Sequence, residues 1–354
     1  VVRLAPLYWF LAGCGLVAAT QAGYLSVRNW DTTALLQVGP GSPAKAQLER
    51  ELGPLFLAPT LGHDGKYFYL TARHPWFPRA DAETRMSLQD PAYRYGRPLY
   101  PLLAGFGGTL SAWGTLAGLI VVQILAGGLY TLVVRALARQ NGLPISAAVV
   151  GVLNPALFFS AVLLTSDMLA TALILWGLLA WQRGRLAWAV GLFAAAVFAK
   201  EYYALTPLTL GCILLFQHRG RTAAIIVGGS LIPFVVWKLA VWSVLGPGEA
   251  GGNFTWPGEG IRAAAKEWSD VRDLGALAIF VVLIALASAG KPSQSLPRWL
   301  SVVWGLLGLI TSSLVWADPA DALRVLAPLW WFVIWVWWPG KVTSVCRPLQ
   351  PPTP

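Results

Sequence analysis

The sequence predicts an all-α fold: a polytopic transmembrane bundle of about ten spans, forming a single integral membrane domain over residues 1–354. Three observations carry that prediction. The chain is 56% hydrophobic and only 12% charged, where soluble domains average about 25% charged residues. Its apolar residues fall in long runs, several of them close to the ~20 residues that cross a bilayer as a helix. Its charges sort by sign between alternate loops. Arg3, Arg135 with Arg139, Arg183 with Arg185, Arg219 with Arg221, Lys291 with Arg298, and Lys341 with Arg347 occupy short loops that contain no acid, whereas all sixteen Asp and Glu lie in the other set of loops or at the outer rim. By the positive-inside rule the basic loops are cytoplasmic, and any carboxylate chemistry faces outward.

Taken in order, the expected spans are Ala5–Leu25, Trp113–Val134, Ile145–Leu164, Met168–Trp181, Leu186–Ala199, Tyr203–Phe216, Thr222–Leu245, Leu274–Ala289, Trp299–Trp316 and Val325–Trp338. The first lacks a convincing small-residue cleavage site and is read as a retained anchor instead of a signal peptide. This count returns both termini to the cytoplasm. The fifth and sixth spans are only about 14 residues each, too short for roughly 30 Å of hydrocarbon at 1.5 Å per residue. Their junction, Lys200-Glu201, is therefore expected below the outer surface, where a backbone break is tolerated only inside protein or beside a wet cavity. It is the one clear break that the sequence displays.

Two extracytoplasmic loops stand out, residues 26–112 and 246–273. Within the first, Ser26–Arg97 holds nine Lys or Arg and seven acids, which suits a small folded cap. Gly39, Pro40, Gly41 and Pro43 mark a turn, and Lys45–Leu52 suits a short helix. Pro98–Leu110 is apolar and about 13 residues long, matching an interfacial or re-entrant helix better than a crossing. The second loop opens Gly/Pro-rich and ends in a surface helix.

Chemistry-bearing residues concentrate at the outer level. Gly62-His63-Asp64-Gly65-Lys66-Tyr67-Phe68-Tyr69 places a carboxylate before an aromatic turn suited to the headgroup region. Tyr93-Arg94-Tyr95-Gly96-Arg97-Pro98-Leu99-Tyr100-Pro101 interleaves two guanidiniums with aromatics, a pattern suited to a phosphate. Ser166-Asp167, Lys200-Glu201 and Asp318–Arg324 are ionisable groups at membrane depth, where such groups default to function. Together these clusters are expected to form one cavity, which Lys238 could join.

This layout resembles the GT-C superfamily of membrane glycosyltransferases, over nearly the whole chain in arrangement but only in short stretches by motif. Gly62–Tyr69 looks like the Asp-Gly-x-x-Tyr segment of mannosyltransferase-like members, and Tyr93–Pro101 like the basic-aromatic run that follows it. Ser166-Asp167, Lys200-Glu201 and Arg324–Pro328 are similar to recurrent outer-rim positions. The resemblance implies an inverting transfer of a sugar from a polyprenyl-phosphate donor to an extracytoplasmic glycan, lipid or protein acceptor at a cell envelope. Asp64 matches the acidic position expected to act as general base. His63, Tyr67, Arg94, Arg97, Asp167, Lys200, Glu201 and Arg324 are the expected substrate contacts. Many members carry two acids in the motif; here His63 takes the first place, which weakens the case for a metal there. No cofactor is called for, and a divalent metal stays open.

Competing readings stand beside these. Asp64, Asp31 and Ser166-Asp167 each suit a helix cap, and Asp31 is the rival base. Arg94 and Arg97 could pair with Asp90, and Arg324 with Asp318 or Asp321. The tryptophans from Trp330 to Trp338 read as an aromatic belt or lipid-facing surface, and Asn253-Phe254-Thr255 as a weak glycosylation sequon. The net charge of +10 does not point to nucleic acid, because eleven basic residues belong to the orienting loops. Cys14, Cys212 and Cys346 offer no disulfide framework to the outer loops, which leans toward a bacterial plasma membrane. No nucleophile elbow, Walker loop, His-Glu-x-x-His or Cys-x-x-Cys occurs. A transporter or flippase for a lipid-linked or anionic solute is the alternative function.

Overall fold

The computed structural model describes residues 4–59, 62–248, 253–268, 271–289 and 295–338; Arg3, Lys291, Lys341, Arg347 and Cys346 lie outside them. Among the described residues the fold is helical, with three isolated β-bridges and no strand. The helices are α1 (Ala5–Ser26), α2 (Lys45–Leu52), α3 (Gly65–Arg73), α4 (Ala82–Ser87), α5 (Pro91–Arg94), α6 (Leu99–Ala104), α7 (Ala112–Gln140), α8 (Ile145–Val152), α9 (Pro155–Val162) and α10 (Asp167–Gln182). They continue with α11 (Leu186–Ala199), α12 (Leu205–Phe216), α13 (Gly220–Leu245), α14 (Glu259–Ala264), α15 (Val271–Ala289), α16 (Ser295–Ile310), α17 (Ser313–Trp316), α18 (Pro319–Val325) and α19 (Ala327–Trp337).

Among the described residues, four helices are long and apolar enough to cross a membrane: α7, the α8–α9 pair, α13 and α15, or five if the bent α18–α19 pair is one span. The chain thus has the character of a helical membrane protein. α10, α11, α12 and α16 are apolar but shorter. α10 is buried along most of its length and packs between α7 and α11. α1 lies against α7 through small residues. A Cβ on Gly13 would sit 2.5 Å from the Gly127 carbonyl, and one on Gly127 would sit 2.3 Å from Val17, so the two backbones touch where only glycine fits.

Breaks in the helices set up the site. At Lys200 the backbone turns extended (φ −162°, ψ 125°) before a 3-10 turn at Glu201–Ala204. The sequence reading showed this break but not two others. Asn154 separates α8 from α9, capping the Ala156 amide, while its own amide donates to the Ala327 carbonyl at 2.8 Å. α18 and α19 meet at 56° around Leu326, so Asn154 ties one break to the other.

Three expectations need correction. Pro98–Leu110 does not form one 13-residue helix: α6 stops at Ala104, and Phe106 (φ 47°), Gly107 (φ 68°) and Gly108 (φ 86°) turn the chain back. A Cβ on Gly105 would lie 2.2 Å from the Ala72 carbonyl, because α6 presses against α3. The aromatic turn Tyr67–Tyr69 does not lie among headgroups; every residue of α3 from Gly65 to Ala72 is buried. The tryptophan run is not mainly a lipid-facing belt. Trp331 and Trp335 are in the core, and only Trp337 is clearly exposed, because α19 is packed by α8, α15 and α16.

Candidate functional site

Two glycines position Asp64. Gly62 has φ +80°, and a Cβ there would overlap the Gln37 carbonyl oxygen at 1.9 Å; a Cβ on Gly65 would sit 2.7 Å from the Leu163 carbonyl. Only glycine permits both approaches, so the turn carrying His63-Asp64 is pressed between Gln37 and the end of α9. The His63 amide donates to Gln37 at 3.1 Å and anchors that turn. Asp64 precedes α3 without capping it. The cap reading falls, and the carboxylate is left for other partners.

Those partners are two guanidiniums from the basic-aromatic run. Arg94 Nη1 donates to Asp64 Oδ1 at 2.7 Å, and Arg97 Nη1 lies 3.7 Å from Oδ2. Each is held flat by an aromatic ring: Arg94 lies 3.9 Å from the Tyr67 centroid and Arg97 4.2 Å from that of Tyr93. Arg97 also forks onto Glu201, with Nε to Oε2 at 2.7 Å and Nη2 to Oε1 at 2.5 Å. Pairing with Asp90 does not occur at Arg94; the Asp90 carboxylate caps the Tyr93 amide at 3.0 Å.

Behind this layer lies a second, buried one. Lys200 Nζ donates to Asp167 Oδ1 at 2.5 Å, where the Tyr202 hydroxyl also donates at 2.7 Å; Thr165 donates to Oδ2 at 2.8 Å. Arg324 Nη1 is 3.7 Å from the same Oδ2, and its Nη2 donates to Asp321. Asp167 is therefore no helix cap. It sits at the start of α10 as an anchor for the cations of the Lys200 break and of α18. His63 lies between Asp318 and Asp321, 3.4 Å from each.

The first-layer charges line a cavity of about 260 Å³ with Lys200, Glu201, Asp321 and Arg324. Phe254, Leu307, Leu314, Val315 and Val325 give it an apolar wall, and Tyr93, Tyr202, Asn253 and Thr311 complete the lining. Phe254 pairs with Thr311 through a β-bridge, and Asn253 accepts the Ser312 amide at 2.9 Å, so the loop after α13 closes the wall against the α16–α17 junction. Burial pushes the Asp64 carboxyl up, but Arg94, Arg97, Arg324 and Lys200 outweigh it and hold the group well below the usual carboxylate range. Burial also brings the Lys66 amine, on the other side of Asp64, down to about 8. The Tyr93 hydroxyl is pushed up to about 12, chiefly by burial.

Of the residues expected at one site, Asp64, Arg94, Arg97, Lys200, Glu201 and Arg324 meet in the cavity. Tyr67 lines a small recess behind Asp64 and Arg94. Asp167 and His63 do not line the cavity. They back it, the first through Lys200 and Arg324, the second through Asp321. Lys238 packs near Gly96 and Trp242 instead. Asp31, the rival base, caps the turn at Thr32–Leu36, accepting from the Thr33 amide at 2.9 Å and the Thr33 hydroxyl at 2.7 Å.

Tyr93, Tyr202, Asn253, Phe254 and Thr311 line the cavity without having been singled out as contacts. Adjacency to Arg94 and to Glu201 could have flagged the two tyrosines. Asn253 carried only a sequon signal, and its side chain instead donates to the Tyr93 hydroxyl at 3.2 Å. Among the described residues no group of three or more His, Cys, Asp or Glu is arranged to hold a metal ion. Comparison with protein-family models, with curated proteins and with solved structures returns no match.

Proposed function

We propose that this chain is a membrane glycosyltransferase of the GT-C type, transferring a sugar from a polyprenyl-phosphate donor to an extracytoplasmic glycan, lipid or protein acceptor. One observation carries the reading. Asp64, together with the arginine-paired carboxylates Glu201 and Asp321, lines a cavity with Arg94, Arg97, Lys200 and Arg324 and with the apolar Phe254, Leu307, Leu314 and Val315. That pairing of a charged end with an apolar wall suits an amphiphile whose phosphate joins a sugar to a lipid. At about 260 Å³ the space lies just under the ~300 Å³ lower range of ligand pockets, so it takes the head group and leaves the lipid outside. The ten apolar segments are mainly helical, with breaks at Asn154, at Thr311–Ser312 and at Leu326, and ten crossings in a bacterial plasma membrane, with both termini cytoplasmic and the cavity outward, complete the proposed arrangement.

The chemistry is a single displacement. The acceptor hydroxyl gives its proton to Asp64, its oxygen bonds to the anomeric carbon, and the bond from that carbon to the phosphate oxygen breaks. The electron pair leaves with the lipid phosphate, whose growing charge is met by the guanidiniums and by Lys200. Because phosphate is a good leaving group, one base and an anion clamp suffice. The paired carboxylates of soluble glycosidases are not needed. Full-length Asp64→Asn in membranes supplied with labelled lipid-linked sugar should be made normally and lose transfer; undiminished transfer would overturn the assignment.

A second reading has its own support. Broken helices cross where Asn154 binds the Ala327 carbonyl, and discontinuous helices mark the binding sites of many transporters. Movement of a lipid-linked or anionic solute across proteoliposomes without covalent change would favour a transporter or flippase.

A further inference from the structure

Asp64 is paired too well with arginine to act as a base while those pairs hold. Arg94 binds one of its oxygens and Arg97 lies beside the other. The charged groups facing it are those two arginines, Lys66 on α3, Lys200 at the helix break, and Asp321 with Arg324 on α18. Tyr67 and Tyr93 lie under the two guanidiniums, and Glu201 fixes the far edge of Arg97. The arginines are thus held in place, and what can change is their partner.

Two further features say what that partner is. The four cations Arg94, Arg97, Lys200 and Arg324 interlock with four carboxylates, Asp64, Asp167, Glu201 and Asp321. All four of these cations are already engaged, so an incoming anion must share them. Yet Arg94 Nε and Arg324 Nε and Nη1 are buried without a hydrogen-bond acceptor, although buried donors are ordinarily satisfied. Both arginines line the cavity through other atoms, and Arg94 already holds Asp64. A tetrahedral oxyanion supplies acceptors in several directions, so it can compete for the engaged donors that face the cavity.

We propose that Arg94 and Arg97 are shared groups: they hold Asp64, and a phosphate entering the cavity takes over part of their hydrogen bonding and so frees the carboxylate to accept a proton. The inference rests on the reading of Asp64 as base and adds an order to it. The phosphate-bearing donor arrives first, and only then does the acceptor hydroxyl find a competent proton acceptor. The anion works twice, because its own negative charge beside Asp64 also favours the protonated form.

The test follows the carboxyl band of Asp64 by infrared difference spectroscopy on the full-length protein in nanodiscs, assigned by its loss in Asp64→Asn. Without ligand, Asp64 should titrate well below the usual carboxylate range, as a carboxylate paired with arginine does. With saturating farnesyl phosphate its titration should move upward by about 2 pH units, the scale set by one arginine contact. Farnesol, which has the chain without the phosphate, should leave it where it was. No movement with farnesyl phosphate would overturn the proposal, as would an equal movement with farnesol, which would assign the effect to burial. The underlying base reading fails separately: Asp64→Asn would then transfer sugar at the normal rate, whatever the titration does.

Discussion

Replacing Asp167 with Leu should cost the protein far more stability than replacing Asp167 and Lys200 together. Asp167 is completely buried and Lys200 is 5% exposed, so neither charge is compensated by bulk water. The carboxylate holds Lys200 at 2.5 Å, Tyr202 at 2.7 Å and Thr165 at 2.8 Å, with Arg324 at 3.7 Å. Removing it strands an ammonium, a cost of about 3–5 kcal/mol for a broken buried pair. Lys200→Met should cost less, roughly 1–3 kcal/mol, because Asp167 keeps its two hydroxyl donors and Arg324. In Asp167→Leu/Lys200→Met no ion of the pair remains unmatched, and Arg324 still has Asp321. Apolar replacement of a buried pair is often near neutral, so a total within about 1 kcal/mol of the parent is expected. The cycle then shows a coupling of at least about 3 kcal/mol, at or beyond the upper end for contacting residues. Thermal unfolding in one fixed detergent reads it: Asp167→Leu should lower Tm by about 5 °C or more, and the double variant should restore most of that loss. A double variant as unstable as Asp167→Leu would refute the ion-pair account and point to packing around α10 instead.

Asp31→Ala should lower stability by about 1 kcal/mol, the usual worth of an N-cap, and leave transfer by intact membranes unchanged; loss of transfer at normal expression would revive Asp31 as the base. Trp331→Ala should cost about 3–5 kcal/mol as a core truncation, whereas Trp337→Ala, at 49% exposure, should cost much less. Equal Tm shifts for the two would restore the reading of the tryptophan run as a lipid-facing belt.

Much of this arrangement was legible because membrane burial writes itself into composition. Runs of apolar residues without charge marked every long helix, and Lys45–Leu52 was delimited as the structure has it. The charge clusters were visible as exceptions to that background, and exceptions are costly enough at depth to carry meaning. Partner choice was not legible. Whether Arg94 meets Asp90, four residues away, or Asp64, thirty residues away, depends on how α5 docks on α3, and both pairings look equally good along the chain. Nor does composition tell a core tryptophan from a lipid-facing one, since both sit among the same neighbours. Phe254 and Thr311 come together only because a loop folds back onto the end of α16, and no local pattern announces that contact.

The interlocked charges around Asp64 have a consequence at long range. Four cations matched by four carboxylates, with Lys66 beside them, radiate a far weaker field than a bare basic groove would, so anions are funnelled toward the cluster only weakly from the surrounding water. Free phosphate and nucleotides drifting past would feel little pull. A molecule already confined to the bilayer arrives by sliding in two dimensions and needs no such beacon, which makes electrical silence a form of selectivity.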